Sequence, residues 1–252
     1  MEKDKPLVSI ITPTYNGERY ILDTINSVFS QTFENWEMLI VDDYSTDRTR
    51  DILEEYSKRD KRIKPVYLKE NQGAAVARNT ALRHAQGKYI AFLDGDDKWY
   101  PEKLSKQLDF MEKHDIAFSY TEYDLMDEKG MSLGSIVTVP KTIDYHGLLK
   151  NTIIGCLTVM INKEKTGYFE MPNIRTRQDF ALWLSILKKG FLAYGMQETL
   201  STYRLVPGSI SSNKIKAAKK TWYVYRKVER LSILYSTWCF INYAFQAIKK
   251  RL

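Results

Sequence analysis

Three aspartates fall within four positions of the stretch "YIAFLDGDDKWYP", residues 89–101: Asp94, Asp96 and Asp97, with Gly95 between the first two. Like charges this close repel and raise the free energy of the fold unless a positive group compensates. The apolar run before them reads as a strand, so they stand at its end. Carboxylates are hard oxygen donors suited to Mg2+ or Mn2+. Magnesium commonly keeps one or two protein carboxylates and takes substrate phosphate oxygens for the rest. The competing reading is a helix N-cap, because Pro101 follows and negative charge is favourable at a helix start. Capping accounts for one aspartate, not three.

Other strand ends carry chemistry too. "VDDYSTD" puts Asp42 and Asp43 where a carboxylate can accept hydrogen bonds from a base or ribose, or can cap the helix that follows. Tyr15, in "TPTYNGER", offers an aromatic face for a base or an ordinary packing contact. Arg78 is placed to face phosphate or to be a solvated helix charge. Asp179, in "RQDFALW", sits at a helix start, where the dipole keeps a carboxylate ionised as a general base, or where it is a plain cap. The chain has no GxGxxG and no GxxxxGK[ST], which argues against a dinucleotide fold or a P-loop NTPase. His84, His114 and His146 show no zinc spacing. Cys156 and Cys239 form no CxxC and no disulfide framework, which implies a reducing compartment.

The elements that position these residues follow from periodicity. Leu7 to Thr12, Trp36 to Val41, "RIKPVYLK" and "YIAFLD" read as strands. Between them lie helices marked by Ile21, Leu22, Ile25, Val28 and Phe29, by Ile52, Leu53 and Tyr56, and by the stretch between Gly73 and Gly87. Ser45 or Thr46 is the expected cap of the second helix. Four strand–helix alternations in a hundred residues predict an α/β fold, with a central mostly parallel sheet and helices on both faces. Ligands of such sheets bind beyond the C-terminal strand ends. Thr12–Asn16, Asp42–Asp47 and Asp94–Asp97 are therefore expected to share one rim. Later elements are a helix to about Lys113, a strand in "IAFSYTEYDLMD", an irregular stretch over 125–160, the helix "QDFALWLSILKKG", and one or two strands in "FLAYGMQETLSTYRL".

The 252 residues fit one large domain with an appendage. The net charge of +7 is uneven: residues 214–252 hold ten Lys or Arg against one acid, Glu229, so the other 213 residues sum to −2. This argues against a nucleic-acid surface over the body and makes the tail the electrostatic device. "MEKDKPLVSI" lacks the apolar core of a secretory signal. Residues 231–248 are free of charge and bracketed by basic residues. Eighteen residues are at the lower edge of a membrane span. Polar residues within the stretch favour one long helix lying in the interface, with Trp222, Tyr223, Tyr225, Tyr235, Trp238 and Tyr243 at headgroup level against anionic lipid. The competing reading is a helical hairpin packed on the body or on a second copy in a homo-oligomer.

Four motifs in order, "VSIITPTYNGERYILDTINSVFSQTF", "MLIVDDYSTDRT", "NQGAAVARNTAL" and "GKYIAFLDGDDKWYPEKL", resemble the family 2 inverting glycosyltransferases with the GT-A fold. The resemblance is dense from Leu7 to about Leu104 and resumes at "RQDFALWLSILKKG" and "TYRLVPGSISSN". The chain as a whole is similar to bacterial cell-surface polysaccharide transferases of the teichuronic acid biosynthesis type. This implies a GT-A domain over 1–213, with a nucleotide-sugar-binding half (1–105) and an acceptor-binding half (106–213), and a basic aromatic helical tail over 214–252. It implies that Asp43 contacts uracil, with Tyr15 beside the base and Pro13 on the same turn. Asp94 would face the sugar nucleotide, Asp96 would be the metal ligand and Arg78 a basic group near the donor. Asp179 would be the catalytic base. Trp183, Arg204 and Ser209 stand in the matching C-terminal segments as candidate acceptor- or phosphate-side residues. The family often has Glu before the base; here it is Gln178, which removes a second negative charge.

The implied reaction moves a sugar from a UDP-sugar to a hydroxyl of a lipid-linked glycan with inversion, aided by Mn2+ or Mg2+. The implied place is the inner face of the bacterial membrane, held peripherally. One base and one displacement suffice, so no Ser–His or Cys–His pair is required. Two other classes compete. A sugar-nucleotide-forming nucleotidyltransferase would open with a Gly- and basic-rich phosphate loop, which "TPTYNGERY" is not. A non-catalytic glycan-binding or membrane-scaffold relative would not need Asp94, Asp96 and Asp179 together. UDP release from a donor, with and without Mn2+, separates the three.

Overall fold

The strand–helix alternation is realised as β1 (Val8–Thr14), α1 (Ile21–Phe29), β2 (Trp36–Asp42), α2 (Thr49–Arg59), β3 (Ile63–Tyr67), α3 (Ala74–His84) and β4 (Tyr89–Phe92). There follow β5 (Lys98–Trp99), α4 (Lys103–Lys113), β6 (Phe118–Met126), β7 (Ser132–Val137), β8 (Thr142–Ile143), α5 (Tyr145–Lys150), β9 (Met160–Asn162) and α6 (Lys163–Thr166). The chain closes with α7 (Gln178–Leu187), β10 (Ala193–Arg204), α8 (Lys214–Tyr223) and α9 (Ile233–Lys249). This computed structural model describes residues 5–206 and 214–249.

The strands form one sheet in the order β3-β2-β1-β4-β9-β6-β10-β5, with β7 on β6 and β8 on β10. The half that holds β3, β2, β1 and β4 is wholly parallel. Beyond it β9 runs antiparallel to both β4 and β6, and the parallel pairing resumes between β6 and β10. Every residue of β1 and β2 is buried, as expected for strands covered on both faces. Their side chains alternate between two cores. Ile11, Leu39 and Phe92 pack toward α3 and α7, whereas Ile10, Met38 and Ala91 pack toward α1, α2 and α4. Pro65 is tolerated because β3 is an edge strand with a single ladder to satisfy.

The cap of α2 differs from the expected Ser45 or Thr46. Both residues are engaged across the rim: the Ser45 hydroxyl accepts from Asn16 N at 2.8 Å, and Thr46 N donates to Asn16 Oδ1 at 2.9 Å. Asp47 serves instead, its Oδ1 accepting from Thr49 N at 3.0 Å, while Glu18 accepts from Arg48 N at 2.9 Å.

The tail is not one continuous helix. A π-helical turn, Val224–Val228, and a bend separate α8 from α9, and the pair folds back onto the body. Val224, Tyr225 and Cys239 are fully buried in the core that also holds α7. The Tyr225 hydroxyl donates to Leu149 O, and the Glu229 carboxylate accepts from the Tyr145 hydroxyl at 2.6 Å and from Lys188 at 3.0 Å. Of the six aromatics expected at a headgroup layer, Tyr225, Tyr235 and Tyr243 bond body residues, and Trp222 packs on Phe240. Only Tyr223 and Trp238 among them are well exposed. The face of α9 turned away from the body is nevertheless apolar: Leu234, Trp238, Ile241 and Phe245 are 83%, 56%, 58% and 66% exposed. Among the described residues no helix is long and apolar enough to cross a membrane.

Candidate active site

Three strand-end turns meet at one rim. Asp43 N donates to Thr14 O at 2.8 Å, and Gly17 N donates to the Thr49 hydroxyl at 2.8 Å, so the turns after β1 and β2 are laced together. The aspartate turn after β4 lies against them. A Cβ on Gly95 would stand 3.1 Å from Pro13 O and 3.2 Å from the Thr14 side chain, so glycine permits this approach. Pro13 thus joins the nucleotide-side turn to the aspartate turn. Tyr15 is half exposed, with its ring available to a ligand.

Asp42 and Asp43 differ in role. Asp42 is fully buried and accepts from Arg50 Nε at 2.7 Å and from Ser45 N. Asp43 accepts from Gln72 N and Gly73 N, each at 2.8 Å, and so fixes the entry to α3. Each Asp43 oxygen keeps a second lone pair that a base N–H could use.

Arg78 projects from α3 and is 5% exposed. Its Nη2 donates to Asp94 Oδ1, while Nε and Nη1 have no partner. Burial opposes its charge, but Asp94 outweighs that and holds the guanidinium protonated, with Cys156 and Asp179 adding to the effect. Unmatched buried donors beside a carboxylate await an anion. Asp96 is half-buried and has no side-chain donor among the described residues. Burial first, then the Asp94 charge, pushes its pKa up to about 6. Asp97 points inward, accepts from Arg204 N at 2.8 Å, and is raised well above the usual carboxylate range by burial and by its two neighbours. None of the three caps α4, whose first-turn Leu104 N donates instead to Gln31 Oε1 at 3.0 Å.

Among the described residues no cluster of three metal-ligating side chains exists. One ionisable carboxylate lacking a side-chain donor, beside a second at Asp94, fits a cation that takes its other ligands from a diphosphate and water. Asp96 would hold it, with Asp94 on the sugar-nucleotide side.

Asp179 lies in the first turn of α7, half-buried, and caps nothing; the N-cap position is Arg177. Arg177 has φ 64°, ψ 18°, a left-handed conformation rare outside glycine and asparagine. The Asp179 charge acts on both Arg78 and Cys156, which puts Asp179 in the same locality as the Arg78–Asp94 pair. Gln178 is buried with its Oε1 unpartnered.

Of the remaining candidates, Trp183 is a correction. It is fully buried, with its ring 5.2 Å from Phe92 and 5.4 Å from Phe118, so it packs beneath the site and touches no acceptor. Arg204 is 2% exposed with every nitrogen engaged: Nε on Asp96 O at 2.7 Å, Nη1 on Glu128 O at 3.2 Å and Nη2 on Asp23 at 2.9 Å. It positions the aspartate turn from behind. Ser209, with the expected domain boundary at 213, lies outside the described residues. Cys156 is a site neighbour that the sequence offered no signal for; it stands in a 3-10 turn, Cys156–Thr158, beside Arg78.

Residues 9–165 match the profile of Glycosyl transferase family 2. The chain is 62% identical, over 248 residues and 98% of both chains, to TuaG of Bacillus subtilis (strain 168), a protein assigned as a glycosyltransferase of teichuronic acid biosynthesis. It is 43% identical over 253 residues, 98% of this chain and 96% of the other, to the Escherichia coli UDP-Glc:α-D-GlcNAc-diphosphoundecaprenol β-1,3-glucosyltransferase WfgD. Among solved structures it resembles residues 1–349 of Staphylococcus aureus TarS in complex with UDP-GlcNAc (TM-score 0.71, 23% identity, 87% of this chain and 64% of that one). It also resembles the mannosyltransferase PcManGT of Pyrobaculum calidifontis with GDP-Man and Mn2+ (TM-score 0.67, 18% identity, 91% and 66%). The chain spans just under two thirds of the length of these solved structures, and the likeness is one of fold: GT-A-like, with a mixed central sheet and helices on both faces.

Proposed function

The chain belongs to glycosyl transferase family 2, and from that premise we propose an inverting transfer from a UDP-sugar to a hydroxyl of a lipid-linked cell-surface polysaccharide intermediate, such as that of teichuronic acid. The observation that carries it is Arg78, buried with two free donors between Asp94 and Asp179. UDP as the donor nucleotide is supported by the UDP-GlcNAc in TarS and by the name of the Escherichia coli relative, which also supports a lipid-diphosphate acceptor.

Tyr15 and Pro13 would border the uracil, with Asp43 accepting from its N–H. Arg78 would donate its free Nε and Nη1 to the diphosphate as the bond to the anomeric carbon breaks. Asp96 would hold a divalent ion, Mn2+ or Mg2+, which when bound neutralises charge on the leaving diphosphate as a Lewis acid. Asp179 would take the proton from the acceptor hydroxyl as that oxygen attacks the opposite face. The single displacement inverts the anomeric centre, and no covalent intermediate is needed. A peripheral position at the inner membrane face is supported by the outward apolar stripe of α9 and the basic tail.

The test is UDP release from a panel of UDP-sugars by the full chain, with and without Mn2+ or Mg2+, compared with Asp179→Asn. One UDP-sugar should be hydrolysed, and faster with the ion. No release from any donor, or sugar-nucleotide formation from UTP and a sugar phosphate, would refute the assignment.

A further inference from the structure

Beside the loop that leads into α7 lies a cleft of about 300 Å3 lined by Asn173, Ile174, Arg175, Thr176, Lys220 and Tyr223. Its two cations come from separate parts of the chain, Arg175 from the loop and Lys220 from α8. Neither has an ion-pair or hydrogen-bond partner among the described residues. Arg50, Lys64, Arg78 and Arg204, by contrast, each meet a carboxylate. Among the described residues no acid lines the cleft. Its other polar groups, the Asn173 amide and the Thr176 and Tyr223 hydroxyls, can all donate. Two unmatched cations converging with neutral donors suit an anion of more than one charge, and an Arg fork suits phosphate oxygens in particular.

Its place in the molecule narrows the ligand. Arg175 is four residues from Asp179, so their Cα atoms are at most about 14 Å apart. Tyr223, also of the lining, follows Trp222 in the chain, whose ring packs 5.6 Å from Phe240. Phe240 adjoins Ile241 of the outward apolar stripe. The cleft residues thus neighbour Asp179 along the chain on one side and, through the packing of α8 on α9, the helix that carries the apolar stripe on the other. A sugar carried on a lipid diphosphate has the same sequence of parts: hydroxyl, diphosphate, hydrocarbon.

We propose that this cleft is the subsite for the diphosphate of a lipid-diphosphate-linked acceptor, with Arg175 and Lys220 as its anion-binding pair. The proposal rests on the glycosyltransferase reading for the identity of the acceptor and is separate from the donor diphosphate, which Arg78 and Asp96 face. It follows that the attacked hydroxyl belongs to a sugar close to the diphosphate rather than to the far end of a long glycan.

The test is calorimetric binding of farnesyl diphosphate, below its micelle concentration, to the full chain saturated with UDP and Mn2+, with inorganic diphosphate as a second arm. The wild type should bind farnesyl diphosphate, and the double variant Arg175→Ala, Lys220→Gln should bind it about tenfold or more weakly, the loss of roughly 1.4 kcal/mol or more expected from two charge-assisted contacts. UDP affinity and the melting temperature should not change, since both side chains lie at the surface. Unchanged affinity in the variant, competition by UDP, or equally tight inorganic diphosphate would each overturn the subsite. Wild-type chain that binds the probe yet hydrolyses no UDP-sugar would instead refute the glycosyltransferase reading and leave the anion site standing.

Discussion

Arg177 Nη2 donates to the Tyr243 hydroxyl at 3.3 Å, which ties the left-handed residue entering α7 to the last helix of the chain. A side chain held at φ 64° is strained by about 1–3 kcal/mol and persists only where surrounding contacts fix it. α9 supplies one of those contacts two residues from Asp179. The C-terminal hairpin is therefore a support for the start of α7, the helix that carries Asp179. Tyr243→Phe keeps the ring against Phe240 and removes the hydroxyl. One such bond is worth about 0.5–1.5 kcal/mol, so kcat should fall roughly 2–10-fold while UDP affinity is unchanged. A melting-temperature shift with kcat intact would leave the hairpin only a structural role.

Asp179, the proposed base, should show a larger effect. Asp179 neither caps α7 nor accepts a cap bond, so Asp179→Asn should leave the fold and UDP binding in place. Transfer should drop by about 10²–10⁴, the usual range for a lost general base. The check is a pair of measurements on one preparation, UDP calorimetry and single-turnover transfer. Normal transfer would remove Asp179 from the mechanism.

Arg204 gives a separate handle on the aspartate turn. Its fork spans Asp96 O, Glu128 O and Asp23, bonds that a lysine cannot reproduce together. Arg204→Lys should raise the Mn2+ concentration needed for half-maximal turnover. It should also lower stability by about 2–4 kcal/mol, the scale for breaking a buried charge network. Asp96→Ala, by contrast, should abolish Mn2+-stimulated turnover at little cost to stability. If Arg204→Lys titrates with Mn2+ as the wild type does, the turn does not need this anchor.

The contrast between these residues shows what the sequence could reveal. β1, β2 and β4 were legible because each is a buried run and β3 because it falls between helices of 3.6-residue periodicity, and these signals are local. Asp94 and Asp96 stood out as carboxylates crowded at a strand end, whereas Asp179 was singled out as a base only through the family resemblance, because its type and position at a helix start fit a plain cap as well. Arg204 was singled out as a site residue, but its anchoring of the aspartate turn was not legible, because its partner Asp23 lies 181 residues away. β7, β8 and α5 fell in the stretch read as irregular because β7 and β8 exist only through pairing with β6 and β10. The tail was read with the wrong aromatics outward for a related reason. α9 is apolar around most of its circumference, so periodicity alone does not say which face the body takes.

Lys103 should reveal itself through pH. It is fully buried, its Nζ donating to Gln107 Oε1 at 2.7 Å and lying 4.2 Å from the centre of the Trp99 ring. Burial pushes its pKa down to about 7. The unfolded chain takes this proton below about 10.4, whereas the folded chain takes it only below about 7. Between those values the unfolded state binds more protons, so stability rises with pH across the window. Lys103→Met lacks the group. Its advantage over the wild type, measured by urea unfolding, should be greatest near pH 7 and narrow toward pH 9. Parallel curves for the two proteins would mean that Lys103 does not titrate in this range.

The outward face of α9 calls for a membrane test, and the fold dictates its form. Leu234, Trp238, Ile241 and Phe245 follow one another at steps of four, three and four residues, so they share one side of the helix. Four large apolar side chains left in water on one stripe mark an interaction surface. The nearby charge is basic, and the lone acid of the tail, Glu229, is already engaged by Tyr145 and Lys188. Anionic lipid complements both features, with basic residues worth about 1 kcal/mol each near such a surface. Removing the tail is not a clean experiment, because it would strip Val224, Tyr225 and Cys239 from the core around α7. Serine at all four exposed positions changes only the surface. The wild type should float with anionic vesicles at low salt, less so at high salt, and weakly with neutral ones. The serine variant should stay at the bottom of the gradient while hydrolysing the UDP-sugar donor at the wild-type rate. If neither protein floats and the wild type sediments as a dimer where the variant is a monomer, the stripe joins two copies of the chain and the membrane assignment fails.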